Sequence, residues 1–171
     1  MTRLKSILMT ALLAVAGTAV AVAIAPGAAH AANGPCKWTS FGNASNCDGN
    51  APVFSKYPQC YDDARVAGNT LSQQRNLYTK MLDSNVFIQL MYSPSCATAW
   101  AEMSSYNSLP SGSVCYVKVQ RNSDGERFAA NYLEPDVAVT AQVYDQDVTA
   151  YAWGYCRYPS GRVVTAATAS W

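Results

Sequence analysis

Imidazole is almost absent from this chain: of 171 residues one is histidine, His30, and it lies in the N-terminal leader. Once that leader is removed, the residue type most often used as a general base and as a zinc ligand is gone. Ser-His-Asp and Cys-His nucleophilic catalysis are excluded on that ground, as is a metal site built on histidine. No Cys-x-x-Cys occurs, so a thioredoxin-type redox centre or a zinc ribbon has no support. Charge is sparse, at 13% of residues, and balanced. Losing Arg3 and Lys5 with the leader turns 12 basic residues into 10, against 11 acidic ones. That balance provides no overall electrostatic attraction for nucleic acid or anionic membranes. There is no internal repeat, no low-complexity tail, and no second apolar run of membrane length.

What is present begins with an export signal. Arg3 and Lys5 precede an apolar stretch from Ile7 to Ala25, Pro26 and Gly27 break it, and Ala29-His30-Ala31 is a small-x-small cleavage site. An uncleaved anchor is the rival, since about 20 apolar residues span a bilayer. The Ala-rich, Leu-poor composition and the cleavage site favour a signal peptide over 1–31, and one secreted domain over 32–171 with no integral membrane segment.

Six cysteines follow the leader: Cys36, Cys47, Cys60, Cys96, Cys115 and Cys156. In an exported chain they read as three disulfides. Cys47–Cys60 is the favoured pair because it brackets the turn-rich Asp48-Gly49-Asn50-Ala51-Pro52, and Cys36–Cys47 is the competitor.

Residues 32–60 read as loop. From Asn85 onward, short β-branched and apolar runs alternate with Gly, Pro and Asp turns, the pattern of an all-β domain. Strands are predicted at Asn85–Tyr92, Ser113–Arg121, Arg127–Leu133, Val137–Tyr144, Val148–Cys156 and Arg162–Ser170. Leu71–Leu82 reads better as a helix than as two short strands. The expected fold is mainly β: a small disulfide-stabilised sandwich or barrel with a loop-rich N-terminal segment and room for one short helix.

The strand at Val148–Cys156 is the most informative. Alternation puts Val148, Ala150, Ala152, Gly154 and Cys156 on one face and Thr149, Tyr151, Trp153, Tyr155 and Arg157 on the other. The aromatic row is either packed core or an exposed platform for stacking sugars. If Asp145–Asp147 connects this strand to Val137–Tyr144 as a hairpin, Trp153 falls opposite Val139 and the aromatics join the aliphatic core face. That reading is favoured, with the platform as the alternative.

Carboxylates offer little chemistry. Asp145 with Asp147, or Glu134 with Asp136, could in principle act as a glycosidase pair, but acidic residues at strand ends are ordinarily turn formers. Asp145 and Asp147, or Asp48 and Asn50, lack a complete oxygen-ligand spacing for calcium, so no metal and no cofactor is expected. Ser93 and Ser95 around Pro94 have no lysine base at a useful spacing and read as a turn.

The run Tyr92-Ser93-Pro94-Ser95-Cys96-Ala97-Thr98-Ala99-Trp100-Ala101 resembles the central motif of a secreted bacterial family, common in actinobacteria, known as domain of unknown function 2690. Cys47-Asp48-Gly49, Cys60 and Asp63-Ala64 are similar to that family's opening segment. Val143-Tyr144-Asp145 with Cys156 is similar to its closing one. Cys36 and Cys115 look additional to the family pattern, so the resemblance implies a Cys36–Cys115 pair and Cys96–Cys156 beside Cys47–Cys60. Leu71–Leu82 also departs from the short strand pair expected of the family. The resemblance implies export and a disulfide-stabilised domain, and no activity. Trp100 is then either a recognition aromatic or a side chain packed over the Cys96 bridge.

These features together predict a secreted, non-enzymatic binding domain acting at the cell envelope or outside it. Its ligand is a cell-wall glycan or a protein, and not nucleic acid. Trp100, Tyr151, Trp153 and Tyr155 are the candidate binding residues, and no catalytic residue is assigned. The alternatives are a glycan hydrolase using the paired carboxylates, or a protease inhibitor presenting the loop Asp48–Gln59.

Overall fold

A computed structural model describes residues 36–37, 45–52, 59–132 and 137–171. The expected leader 1–31, Glu134, Asp136 and positions 53–58 of the proposed inhibitor loop lie outside the described residues. Among those described, no helix is long and apolar enough to cross a membrane.

The first elements among the described residues are α1 (Gln59–Asp62), β1 (Arg65–Val66), α2 (Leu71–Asn76) and β2 (Thr79–Met81). Then come β3 (Val86–Ser93), β4 (Thr98–Ser105), β5 (Val114–Arg121), β6 (Arg127–Asn131), β7 (Ala138–Val139), β8 (Val143–Tyr144), β9 (Ala150–Arg157) and β10 (Val163–Ala167). Strands thus dominate, helix is scarce and three disulfides are present. No sheet closes into a barrel among the described residues.

Two antiparallel sheets share one core. In the first, β3 pairs with β1, β2 and β4, and the free side of β4 is completed by β7 and β8 in succession. The second runs β10-β9-β5-β6. Val86, Ile88, Leu90 and Met103 from the first sheet meet Val117, Val119, Ala150 and Ala152 from the second. Full burial of each large side chain is worth roughly 1.5–3 kcal/mol. The sheets approach closely at Gly154, where a Cβ would come within 2.6 Å of Ile88 Cγ2 and 3.1 Å of Met103 Cε. Small residues on the inner face of β9 are therefore a condition of this packing.

Several expectations are corrected. The helix expected over Leu71–Leu82 is six residues long and buries none of its side chains. Thr70 caps it by accepting from the Gln73 amide, after which the chain turns at Leu77 into β2, and Tyr78 and Leu82 enter the core. Strand β4 was not anticipated: Thr98-Ala-Trp-Ala-Glu-Met-Ser-Ser is rich in Ala and Ser, and its first four residues are buried on both faces. Burial on both sides erases the period-two signal. The single strand expected at Val137–Tyr144 is broken at Thr140–Gln142. There the Thr140 hydroxyl accepts from the Ala101 amide, and Gln142 Oε1 accepts from the Thr98 hydroxyl.

The disulfides are Cys36–Cys47, Cys60–Cys96 and Cys115–Cys156. Cys47–Cys60 does not form, nor do Cys36–Cys115 and Cys96–Cys156. Cys115 and Cys156 are direct cross-strand neighbours on β5 and β9, which brings their side chains together on the inner face. Cys96 lies in the turn after β3, where β1 pairing brings the α1 segment beside it. Cys60–Cys96 and Cys36–Cys47 abut in a small second core with Ala97 and Tyr144.

Candidate functional site

The connection Asp145–Thr149 is not a hairpin. It carries the chain from β8 in one sheet to β9 in the other, so β9 never pairs with the segment assumed to fix its register. Its neighbours are β5 and β10. Ala150, Ala152, Gly154 and Cys156 point into the core, while Tyr151, Trp153 and Tyr155 lie on the outer face, part-exposed. The core reading of this aromatic row is overturned. The cause is the close sheet approach at Gly154, which leaves no room for large inward side chains on β9.

The outer face can be read row by row. Thr165, Tyr155, Tyr116 and Asn131 lie abreast across β10, β9, β5 and β6; the next row is Ala167, Trp153, Lys118 and Ala129. Beyond them, Tyr151 sits opposite Gln120, which sits opposite Arg127. At the other end, Arg157 lies between Val163 and Val114. From Arg157 to Tyr151 the face is roughly 20 Å long, and four strands make it about 14 Å wide.

Three rings form one cluster on it. Tyr116 lies 5.1 Å from Tyr155 and 5.6 Å from Trp153, centroid to centroid, and Trp153 lies 6.2 Å from Tyr155. The Lys118 ammonium sits 5.2 Å from the centre of the Trp153 ring, a cation–π distance. Tyr151 donates its hydroxyl to Gln120 Oε1 at 3.1 Å. The edges of the cluster are small: Thr165 and Ala167 on one side, Ala129 on the other. Tyr116 was missed by sequence reasoning because its value comes from the β5–β9 register, which no local pattern reveals.

Trp100 is elsewhere. It faces the outer side of the first sheet yet is completely buried, its ring 6.3 Å from Tyr61 and its indole N–H donating to Glu102 Oε1 at 3.0 Å. A ring without exposed surface has nothing to offer a ligand. Burial pushes the Glu102 carboxyl up, and the Trp100 hydrogen bond opposes that shift.

The remaining motif residues hold the chain together. Asp63 accepts from the Ser93 hydroxyl and the Ser95 amide, each at 2.7 Å, and the Cys96 amide donates to Ser93 Oγ at 3.3 Å. The Ser-Pro-Ser-Cys run is thus a clamped turn. Arg121, fully buried, joins the opening and closing motifs. Its Nη1 donates to both Asp48 oxygens at 3.0 Å and to the Tyr144 carbonyl at 2.9 Å. Its Nε and Nη2 hold Asp124 at 3.0 and 2.6 Å. Asp48 also accepts from the Tyr144 amide at 2.6 Å and the Ser45 amide at 2.8 Å. The Arg121 hydrogen bonds hold the Asp124 carboxyl below the usual carboxylate range.

Asp145 is buried, and neither of its carboxyl oxygens has a hydrogen-bond partner among the described residues. Burial pushes its pKa well above the ordinary value, against the pull of the Arg121 charge. A carboxyl without solvent contact cannot reach a glycosidic bond, so Asp145 does not form a catalytic pair with Asp147. The sulfurs of Cys36, Cys60 and Cys96 lie close enough to suggest a metal cluster. All three, however, are consumed in the two abutting disulfides and offer no thiolate.

A family described as protein of unknown function (DUF2690) matches residues 45–153, from the segment carrying Asp48 to Trp153. The uncharacterized protein YjfA of Bacillus subtilis (strain 168) is 33% identical over 103 residues, covering 55% of this chain and 65% of that protein. The chain thus spans a little less than two thirds of that relative's length. No solved structure matches. The family match covers well over half of the 171 residues, and the chain belongs to the DUF2690 family of proteins of unknown function.

Proposed function

We propose that this protein works outside the cell as a non-enzymatic binding module, and that the outer face of the β10-β9-β5-β6 sheet takes glycan. The observation that carries the reading is the outward cluster of Tyr116, Trp153 and Tyr155 on a broad sheet surface with small residues at its edges. Sugar rings present apolar C–H faces that stack on aromatic rings, while their hydroxyls need polar partners nearby. Gln120, Asn131 and Thr165 supply those partners from the same face. Tyr151 extends the surface at one end, and Trp100 is framework, buried on the outer side of the other sheet. The export signal and the disulfides agree with work outside the cytoplasm.

Co-sedimentation of the oxidised protein with purified peptidoglycan, chitin and cellulose tests the proposal, with released sugar assayed in the supernatant. Pelleting that disappears in Trp153→Ala, without loss of folding, supports it. Pelleting that survives the substitution refutes the assigned face, and release of sugar refutes the non-enzymatic reading.

A further inference from the structure

The charge on this face is not that of the whole chain. Basic and acidic residues nearly balance overall. On the outward positions of β5, β6, β9 and β10, however, Lys118, Arg127 and Arg157 occur with no Asp or Glu among them. Among the described residues the ion pairs are Arg121 with Asp48, Arg121 with Asp124, and Arg162 with Asp83. None of the three outward cations takes part in one.

Their placement follows the aromatic cluster. Arg157 follows Tyr155 by two residues on β9, Lys118 stands over Trp153, and Arg127 lies opposite Gln120 at the far end. Along the strand direction, the Arg157 and Lys118 levels are about 13 Å apart, and the Lys118 and Arg127 levels about 7 Å apart. The cations therefore bracket the rings. A sugar stacked on Trp153 would carry its substituents past the Lys118 ammonium, and a chain crossing the face obliquely from Arg157 on β9 to Arg127 on β6 would meet a further cation at each end. A neutral polysaccharide would offer none of the three a counter-charge.

We infer that the ligand is an anionic glycan, a polymer bearing carboxylate or phosphodiester groups, with its rings on Tyr116, Trp153 and Tyr155 and its charges on Lys118, Arg127 and Arg157. This inference rests on the glycan reading above and adds the charge of the ligand. The fit is one of complementarity: each contact lies at the surface and is weak, and three together change affinity by about tenfold. Such contacts are screened by salt.

The experiment compares ligands that differ in charge. The full oxidised protein is titrated against polygalacturonate and its fully methyl-esterified form. In parallel it is titrated against Gram-positive cell walls before and after hydrofluoric acid removes their phosphodiester polymers. A single-stranded oligonucleotide is the third arm. The inference expects at least one charged polymer to bind about tenfold tighter than its uncharged counterpart, with the preference lost in 0.5 M salt and reduced in Lys118→Gln. Arg75→Gln, an exposed charge on α2, should leave binding unchanged. Equal binding to charged and uncharged forms overturns the anionic preference and leaves the glycan reading standing. Binding to neither form of either polymer overturns both. Tighter binding to the oligonucleotide overturns the choice of glycan as the polyanion.

Discussion

Replacing Arg121 with Met is the sharpest perturbation of the framework. The substitution keeps the apolar stem and removes a guanidinium that has no exposed surface, holds two carboxylates and donates to the Tyr144 carbonyl. Asp48, 8% exposed, would retain its Ser45 and Tyr144 amide donors but lose its counter-charge. Asp124, whose side chain is 24% exposed, would regain part of its hydration. Breaking a buried pair by removing one partner costs about 3–5 kcal/mol. For a domain of this size that corresponds to a melting temperature lower by roughly 10–20 °C. Thermal unfolding followed by far-ultraviolet circular dichroism at pH 7, with disulfides intact, measures it. The acid limb is a second readout. The lowered Asp124 pKa contributes stability that is present above the usual carboxylate pKa and lost as pH falls through the lowered one. Arg121→Met should flatten that limb. Adding Asp48→Asn and Asp124→Asn to Arg121→Met should recover much of the loss, because no unpaired charge remains. A melting temperature within a few degrees of the parent would refute the view that Arg121 joins the two motif segments.

Other outcomes follow from the same geometry. Asp145 has a raised folded-state pKa, so it binds its proton more tightly folded than unfolded and costs stability as pH rises above the ordinary carboxylate range. Asp145→Asn should melt higher than the parent at pH 7, by a margin that shrinks toward pH 4; a margin independent of pH would contradict the assignment. Peptide mapping of the oxidised protein should recover Cys36–Cys47, Cys60–Cys96 and Cys115–Cys156, and a Cys47–Cys60 peptide would contradict the fold. In the chain-entropy account, the separations of 36 and 41 residues make the latter two bridges worth about 4 kcal/mol each. The separation of 11 makes the first worth about 3 kcal/mol. Removing Cys115–Cys156 should therefore lower stability more than removing Cys36–Cys47.

Strands whose two faces differ were legible from the sequence. β3, β5 and β9 alternate buried and more exposed positions, β6 and β10 alternate part-buried and exposed ones, and period-two patterning marks each to within two residues except at the end of β10, which stops three residues short of Ser170. β4 was invisible because its first half is buried on both sides by small residues and one tryptophan. The orientation of β9 is hidden in the sequence for a different reason. Alternation separates two faces but does not say which is inward, and the assumed hairpin partner lies in the other sheet. The sizes of the residues held the answer: Ala, Ala, Gly and Cys on one face fit a close sheet contact that Tyr, Trp and Tyr cannot. The disulfides were obscured because the turn-rich stretch Asp48–Pro52 favoured Cys47–Cys60, whereas β5–β9 register and β1–β3 pairing decide which of the later cysteines meet. The family motif marks the clamped turn at Ser93–Cys96 and a buried tryptophan, and the proposed binding surface lies on the opposite sheet.

The most direct test of the account is Trp153→Ala, measured for stability and for binding in the same preparation. On the outer face the substitution removes ring contacts with Tyr116 and Tyr155, worth about 0.5–1.5 kcal/mol per pair. A core tryptophan would cost about 3–5 kcal/mol. The account predicts a folded variant melting only a few degrees lower, whose affinity for the charged polymer falls by tenfold or more. An unfolded variant would place Trp153 in the core, and a folded variant that binds as tightly as the parent would remove the aromatic face from any role in recognition.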